Sequence, residues 1–277
     1  MVNTGMLQAL GGMLDGEKPS EMIAAPPSQT TTSPTLTPMQ GLIGPGKPQK
    51  KKAKGEYDFG PELKSLGGKV LPYDNVPANK LVKDVATQMG VKPELLFSSA
   101  WVEGMNKAIT KPDEASEGYL MVEDKMQDYP VDGFLNYGLD TFGNNYDKLK
   151  KYLPKGFEDR FKTFNGVSEG GLKVKTAAFK TNKDALIAKA AFMKMEKDNV
   201  DNYLQKNKID LDEDAKDYFT MAAYNTGFGN AQKMLDEYMA AKDKKAFIEK
   251  GLTRFKGVHG NVNKRMKIRG VASELLK

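Results

Sequence analysis

The sequence predicts a mainly α fold preceded by a disordered N-terminal arm, and three observations carry that prediction. From about residue 61 onward, apolar residues recur at helical spacing between Gly, Pro, Asn and Asp boundary signals. Runs with strand alternation are few, and the best of them, Leu172-Lys173-Val174, is short. The first sixty residues differ in kind from the rest, which divides the chain into an arm (1–60) and a folded domain (61–277).

Seven of the fourteen prolines lie within residues 1–50, around the polar run Ser28-Gln29-Thr30-Thr31-Thr32-Ser33. Such a segment buries too little apolar surface to offset the entropy of ordering it. The arm ends in a basic knot, Lys47, Lys50-Lys51-Lys52 and Lys54, read here as a solvated hinge in preference to a nucleic-acid contact. Near the start, Met6, Leu7, Leu10, Met13 and Leu14 follow helical spacing, while Gly5, Gly11, Gly12 and Gly16 weaken a free helix. That combination suits a short segment that orders on another protein.

In the domain, Asn79 is expected to cap a helix with Leu81, Val82, Val85 and Met89 on one face, ended by Gly90. Pro93 suits the first turn of the next helix, over roughly 93–109. Residues 110–176, rich in Gly and Asp, read as loops with short helices. Asn182 or Thr181 caps a long helix carrying Leu186, Ala190, Met193 and Val200. A further helix runs from Asp212 to Tyr224, stopped by Gly227 and Gly229, and another from Asn230 to Lys242.

Composition removes whole classes of chemistry. The 277 residues include no cysteine and one histidine, His259, so thiol nucleophiles, disulfides and Cys/His or multi-histidine metal sites are excluded within one chain. No metal and no cofactor is expected, and carboxylates become the main acid–base groups. No apolar run approaches the ~18 residues of a membrane span, and the N-terminus lacks the pattern of a secretory signal. The net charge of +6 suits an anionic polymer as partner. Half of that excess belongs to residues 1–55, whose six lysines face only Asp15, Glu17 and Glu21.

Two local features could carry chemistry. In Leu95-Leu96-Phe97-Ser98-Ser99-Ala100-Trp101-Val102-Glu103-Gly104, helical geometry sets Glu103 on the face of Leu96, Ser99 and Ala100. A carboxyl emerging from an apolar, small-residue face is expected to have a raised pKa and to hold its proton for general acid catalysis. The second is Ala222-Ala223-Tyr224-Asn225-Thr226-Gly227-Phe228-Gly229, where a helix ends in Tyr-Asn and Gly227 permits a sharp turn and close approach to a ligand.

Together these strings resemble the soluble lytic transglycosylases, lysozyme-like enzymes that cleave bacterial peptidoglycan. Tyr224-Asn225 is similar to that family's Ala-Tyr-Asn-Ala-Gly signature, and Glu103 matches its single catalytic Glu at the end of an early apolar helix. Between them, Tyr137-Gly138-Leu139-Asp140-Thr141-Phe142-Gly143 stands where the family has Gly-Leu-Met-Gln. The resemblance spans about residues 80–265. It implies a lysozyme-like helical domain in which Glu103 protonates the MurNAc–GlcNAc β-1,4 bond and then takes the 6-hydroxyl proton as a 1,6-anhydro ring closes. It also implies that Tyr224, Asn225, Gly227, Tyr137, Asp140 and Thr141 line the glycan site. Gly104 stands in place of the family's Ser, and Asp140-Thr141 in place of Met-Gln.

Hydrolysis is the enzymatic alternative, and it needs a second carboxylate from Glu117, Glu123, Asp124 or Asp140. A non-enzymatic virion or wall-binding protein that keeps the fold is the alternative outside enzymology. By analogy with phage lysins on flexible tethers, the expected location is the virion, acting on the cell envelope, with residues 1–60 docked on other virion proteins.

Overall fold

The computed structural model describes residues 59–71, 73–110, 120–121, 131, 141–168 and 173–277. The chain divides into two units, Met1–Lys54 and Gly55–Lys277. The first unit lies outside the described residues, as do the basic knot and the docking segment expected there. The second unit is mainly α, as its periodicity predicts.

Its centre is α6 (Asn182–Lys206), the long helix with Leu186, Ala190, Met193 and Val200 buried. The stretch Ala185-Leu186-Ile187-Ala188-Lys189-Ala190-Ala191 is buried on every side, which requires neighbours all round. Those neighbours include α2 (Ala78–Met89), α3 (Pro93–Ala100) and α7 (Glu213–Thr226). The C-terminal α10 (Lys256–Leu275) packs on α3, α7 and α1 (Gly60–Gly67). Next to α7 stands α8 (Phe228–Ala240), followed by α9 (Lys244–Lys250).

Boundary chemistry explains where most helices begin. Thr181 is the cap of α6, its hydroxyl accepting from the Asp184 amide at 3.2 Å. Asp74 adds a cap from more than a hundred residues away, accepting from the Asn182 amide at 2.9 Å and the Lys183 amide at 3.1 Å. Asp212 and Asp243 cap α7 and α9 in the same manner, at 2.7 and 2.8 Å. Asn79 does not cap α2 as expected. Pro77 occupies that position, and Asn79 lies inside the first turn with its side chain accepting from the Lys80 amide. Pro93 opens α3, and Gly90 closes α2 in the left-handed region at φ 66°. Gly229 lies within α8, so Gly227 alone makes the break.

The region expected to be loops holds a small antiparallel sheet in the order β1-β2-β3: β1 (Leu120–Met121), β2 (Phe161–Ser168) and β3 (Lys173–Phe179). Its register pairs Phe161 with Phe179 and Thr163 with Ala177. Gly166, Ala177 and Ala178 blunt the apolar alternation that marks a strand in sequence. The hairpin is fixed instead by aromatic packing: the Phe142 ring, on α5 (Thr141–Leu149), meets Phe161 edge-on at 4.9 Å and Phe179 at 5.4 Å.

Candidate functional site

The helix expected over 93–109 is broken: the chain leaves α3 through a kinked turn, Trp101–Met105, before α4 (Asn106–Thr110) begins. Gly104 sits inside that turn at φ 120° and ψ −4°. An L side chain is strained there, so a Ser could not replace Gly104 without changing the backbone. The turn points Glu103 into the interior, where 2 % of it is exposed.

Three polar groups from three other helices converge on Glu103. Tyr224, near the end of α7, donates its hydroxyl to Glu103 Oε2 at 2.9 Å. Lys189, from the middle of α6, donates to the same Oε2 and to Tyr224 Oη at 3.0 Å. Arg265, on α10, donates from Nη2 to Glu103 Oε1 at 2.8 Å and from Nη1 to Asn225 Oδ1 at 3.0 Å. Each carboxylate oxygen is therefore tied to one cation, and each cation to one member of the Tyr224-Asn225 pair. Phe192 closes the apolar side, edge-on to the Tyr224 ring at 5.3 Å. Two buried polar atoms here, Ser99 Oγ and Arg265 Nε, have no hydrogen-bond partner.

The electrostatics reverse the expectation from sequence. Burial by itself would push the Glu103 carboxyl up, but the charges of Lys189 and Arg265 and their hydrogen bonds outweigh it. The net position is below the ordinary 4.5, so Glu103 is ionised at neutrality. The Tyr224 hydroxyl moves well above its ordinary 10, through burial and then the Glu103 charge, and remains a donor.

A carboxyl whose burial does prevail lies further along α6. Glu196, supported by a 3.1 Å bond from Asn199 Nδ2, is pushed up to about 7 by desolvation, against the lowering effects of Asn199 and Lys148. A folded-state value above the unfolded one means that the native state binds the extra proton, so stability falls as pH rises from about 5 to 7. Glu196→Gln is expected to flatten this slope, read as the urea midpoint against pH for both proteins. Parallel curves would show that Glu196 does not titrate in that window.

Of the residues expected at the site, the structure brings together Glu103, Tyr224 and Asn225. Gly227 follows at the α7–α8 corner with φ 82°, and a Cβ there would meet nothing within 4 Å. Thr141 is the first residue of α5, whose neighbours include β3 and α6. Tyr137, Asp140, Glu117, Glu123 and Asp124 lie outside the described residues. An open cleft of about 390 Å³ flanks the kinked turn, lined by Phe59, Glu62, Trp101, Val102, Asn106 and Lys264. Trp101 and Val102 lead into Glu103, and Lys264 precedes Arg265. Among the described residues no group of three or more His, Asp or Glu could hold a metal ion.

Sequence reasoning missed Lys189 and Arg265. A signal existed for each: Lys189 interrupts an alanine-rich apolar run, and Arg265 falls on the buried stripe His259, Val262, Ile268 and Ala272. His259 is part of the core, its Nδ1 2.7 Å from Tyr218 Oη and its Nε2 2.8 Å from Asn263 Nδ2. Burial lowers its pKa, which keeps the ring neutral at physiological pH. Compared with protein families, curated proteins and solved structures, the chain finds no match in any of the three.

Proposed function

We propose that Gly55–Lys277 is a lysozyme-like domain that cleaves the MurNAc–GlcNAc bond of bacterial peptidoglycan, with Glu103 as the single acid–base group. The observation that carries this reading is the hydrogen bond from Tyr224 to Glu103. It joins the two motifs that resemble lytic transglycosylases across 121 residues of chain.

In this reading Glu103 takes up a proton, donates it to the glycosidic oxygen as oxocarbenium character develops, and then accepts the proton of the MurNAc 6-hydroxyl. The anhydro ring forms as the glycosidic bond breaks, so no water is consumed. Tyr224 fixes the orientation of Oε2, and Asn225 shapes the neighbouring wall. The arm would tether the domain to a virion. A second reading, a wall-binding protein that keeps the fold without the reaction, draws on the two cations that occupy both oxygens of Glu103.

Incubation with purified peptidoglycan tests both. The expected result is soluble muropeptides with anhydro ends, each one water lighter than a reducing end. Reducing ends would replace transglycosylation by hydrolysis. Binding without release, from several wall types and over about pH 4–8, would sink the enzymatic reading in favour of the second.

A further inference from the structure

We propose that Lys189 and Arg265 are positioning residues for Glu103 with unequal parts. Lys189 stays with Glu103 and Tyr224, whereas Arg265 gives up Oε1 and passes its guanidinium to a carboxylate or amide carbonyl of the glycan. This rests on the reading of Glu103 as the acid, because a carboxyl whose two oxygens both accept from cations is held ionised and carries no proton for the glycosidic oxygen.

The asymmetry is visible in the geometry. Lys189 comes from the middle of the most enclosed helix, its side chain is wholly buried, and it closes a triangle with Oε2 and the Tyr224 hydroxyl. Arg265 spends Nη2 on Glu103, and Nη1 on Asn225 and on the Asn261 carbonyl at 3.3 Å. Its Nε has no acceptor although it is buried. A buried guanidinium with an idle donor is one acceptor short, and a planar carboxylate or amide is the group its fork fits.

Position agrees with this. Asn225, the other partner of Arg265, is half-buried, so that side of the cluster is the more open one. Lys264, one residue earlier on α10, lines the open cleft with Trp101 and Val102, which lead into Glu103. The groups bonded to Glu103 are Lys189 on α6, Tyr224 on α7 and Arg265 on α10. Removing Arg265 from that set leaves one cation against full burial. Desolvation then gains ground, and the carboxyl takes a proton from water nearer neutrality. Binding of the glycan would thereby create the acid that the reaction needs.

Arg265→Gln and Arg265→Lys, each confirmed folded by circular dichroism, decide the matter. Two readouts apply: the carbon-13 resonance of the Glu103 carboxyl against pH, and kcat and KM on solubilised glycan strands against pH. Arg265→Gln should raise the Glu103 titration midpoint by about one unit or more and raise KM about tenfold. Arg265→Lys keeps the charge but loses the fork, so KM should rise while the midpoint stays within about half a unit. A midpoint that does not move in Arg265→Gln, or a KM that moves in neither variant, would overturn the proposal. If the wild type cleaves no wall at any pH, the proposed function fails by itself. The carboxyl titration still decides whether Arg265 sets the state of Glu103.

Discussion

Glu103→Gln is expected to lower folding stability by about 3–5 kcal/mol, one of the two largest single-residue effects anticipated in this protein. The carboxylate is the shared counter-charge of Lys189 and Arg265, and all three side chains are at most 3 % exposed. An amide leaves two buried cations without an anion, and that desolvation cost is not recovered elsewhere. Thermal unfolding followed by the fluorescence of Trp101, the only tryptophan and itself buried, should show the midpoint falling by about 10 °C. Replacing the whole cluster, Glu103→Leu with Lys189→Met and Arg265→Met, should recover most of the loss because no charge then remains to be compensated.

The pH dependence has a defined sign. The folded-state pKa of Glu103 lies below its unfolded value, so its contribution is present above the ordinary carboxyl range and disappears as pH falls through the lowered value. The difference between wild type and Glu103→Gln should therefore shrink toward zero in strong acid. A variant that melts with the wild type at pH 7 would show that the three side chains do not form this cluster. The same experiment bears on enzymology: loss of wall cleavage in Glu103→Gln counts as catalytic only where the variant is folded.

Gly251→Ala should cost about 2–5 kcal/mol, combining a left-handed backbone with overpacking. Gly251 ends α9 at φ 65°, its amide donating to the Phe247 carbonyl at 3.1 Å. A Cβ there would collide with Cδ2 of His259 and lie 2.6 Å from its Nε2. The ring has nowhere to go, because Tyr218 holds one nitrogen and Asn263 the other. Gly156→Ala is the control: φ is 76°, yet nothing lies within 4 Å of the added carbon, so only the backbone cost of about 1 kcal/mol remains. Equal melting midpoints for the two variants would remove the role given to His259.

Legibility in the sequence followed the range of the forces involved. Thr181 and Asp212 announced α6 and α7 because a cap bonds an amide only three residues away. Pro93, Gly90 and Gly227 marked boundaries through their own backbone preferences. The hairpin was legible only at Lys173-Val174, which open β3, because Gly166, Ala177 and Ala178 dilute the alternation and the aromatic packing that fixes it reaches back to Phe142. Nothing local placed His259 in the core, since it joins the core only through the approach of Tyr218, 41 residues earlier.

Glu103 and Tyr224 were found by local pattern, one on a face of small residues and the other in its Tyr-Asn-x-Gly corner. What the sequence determined by itself is therefore the helical class, the starts of α3 and α6, the α7–α8 break, and an acid–base repertoire restricted mainly to carboxylates by the lack of cysteine and the single histidine. The charge state of the central carboxylate was decided only by tertiary structure. Its pKa is the balance of two opposing effects, and the apolar face of α3 foretells only the burial. The opposing cations arrive from α6 and α10, separated from Glu103 by 86 and 162 residues. Coulombic attraction depends on distance in space, which helix packing fixes and local sequence does not.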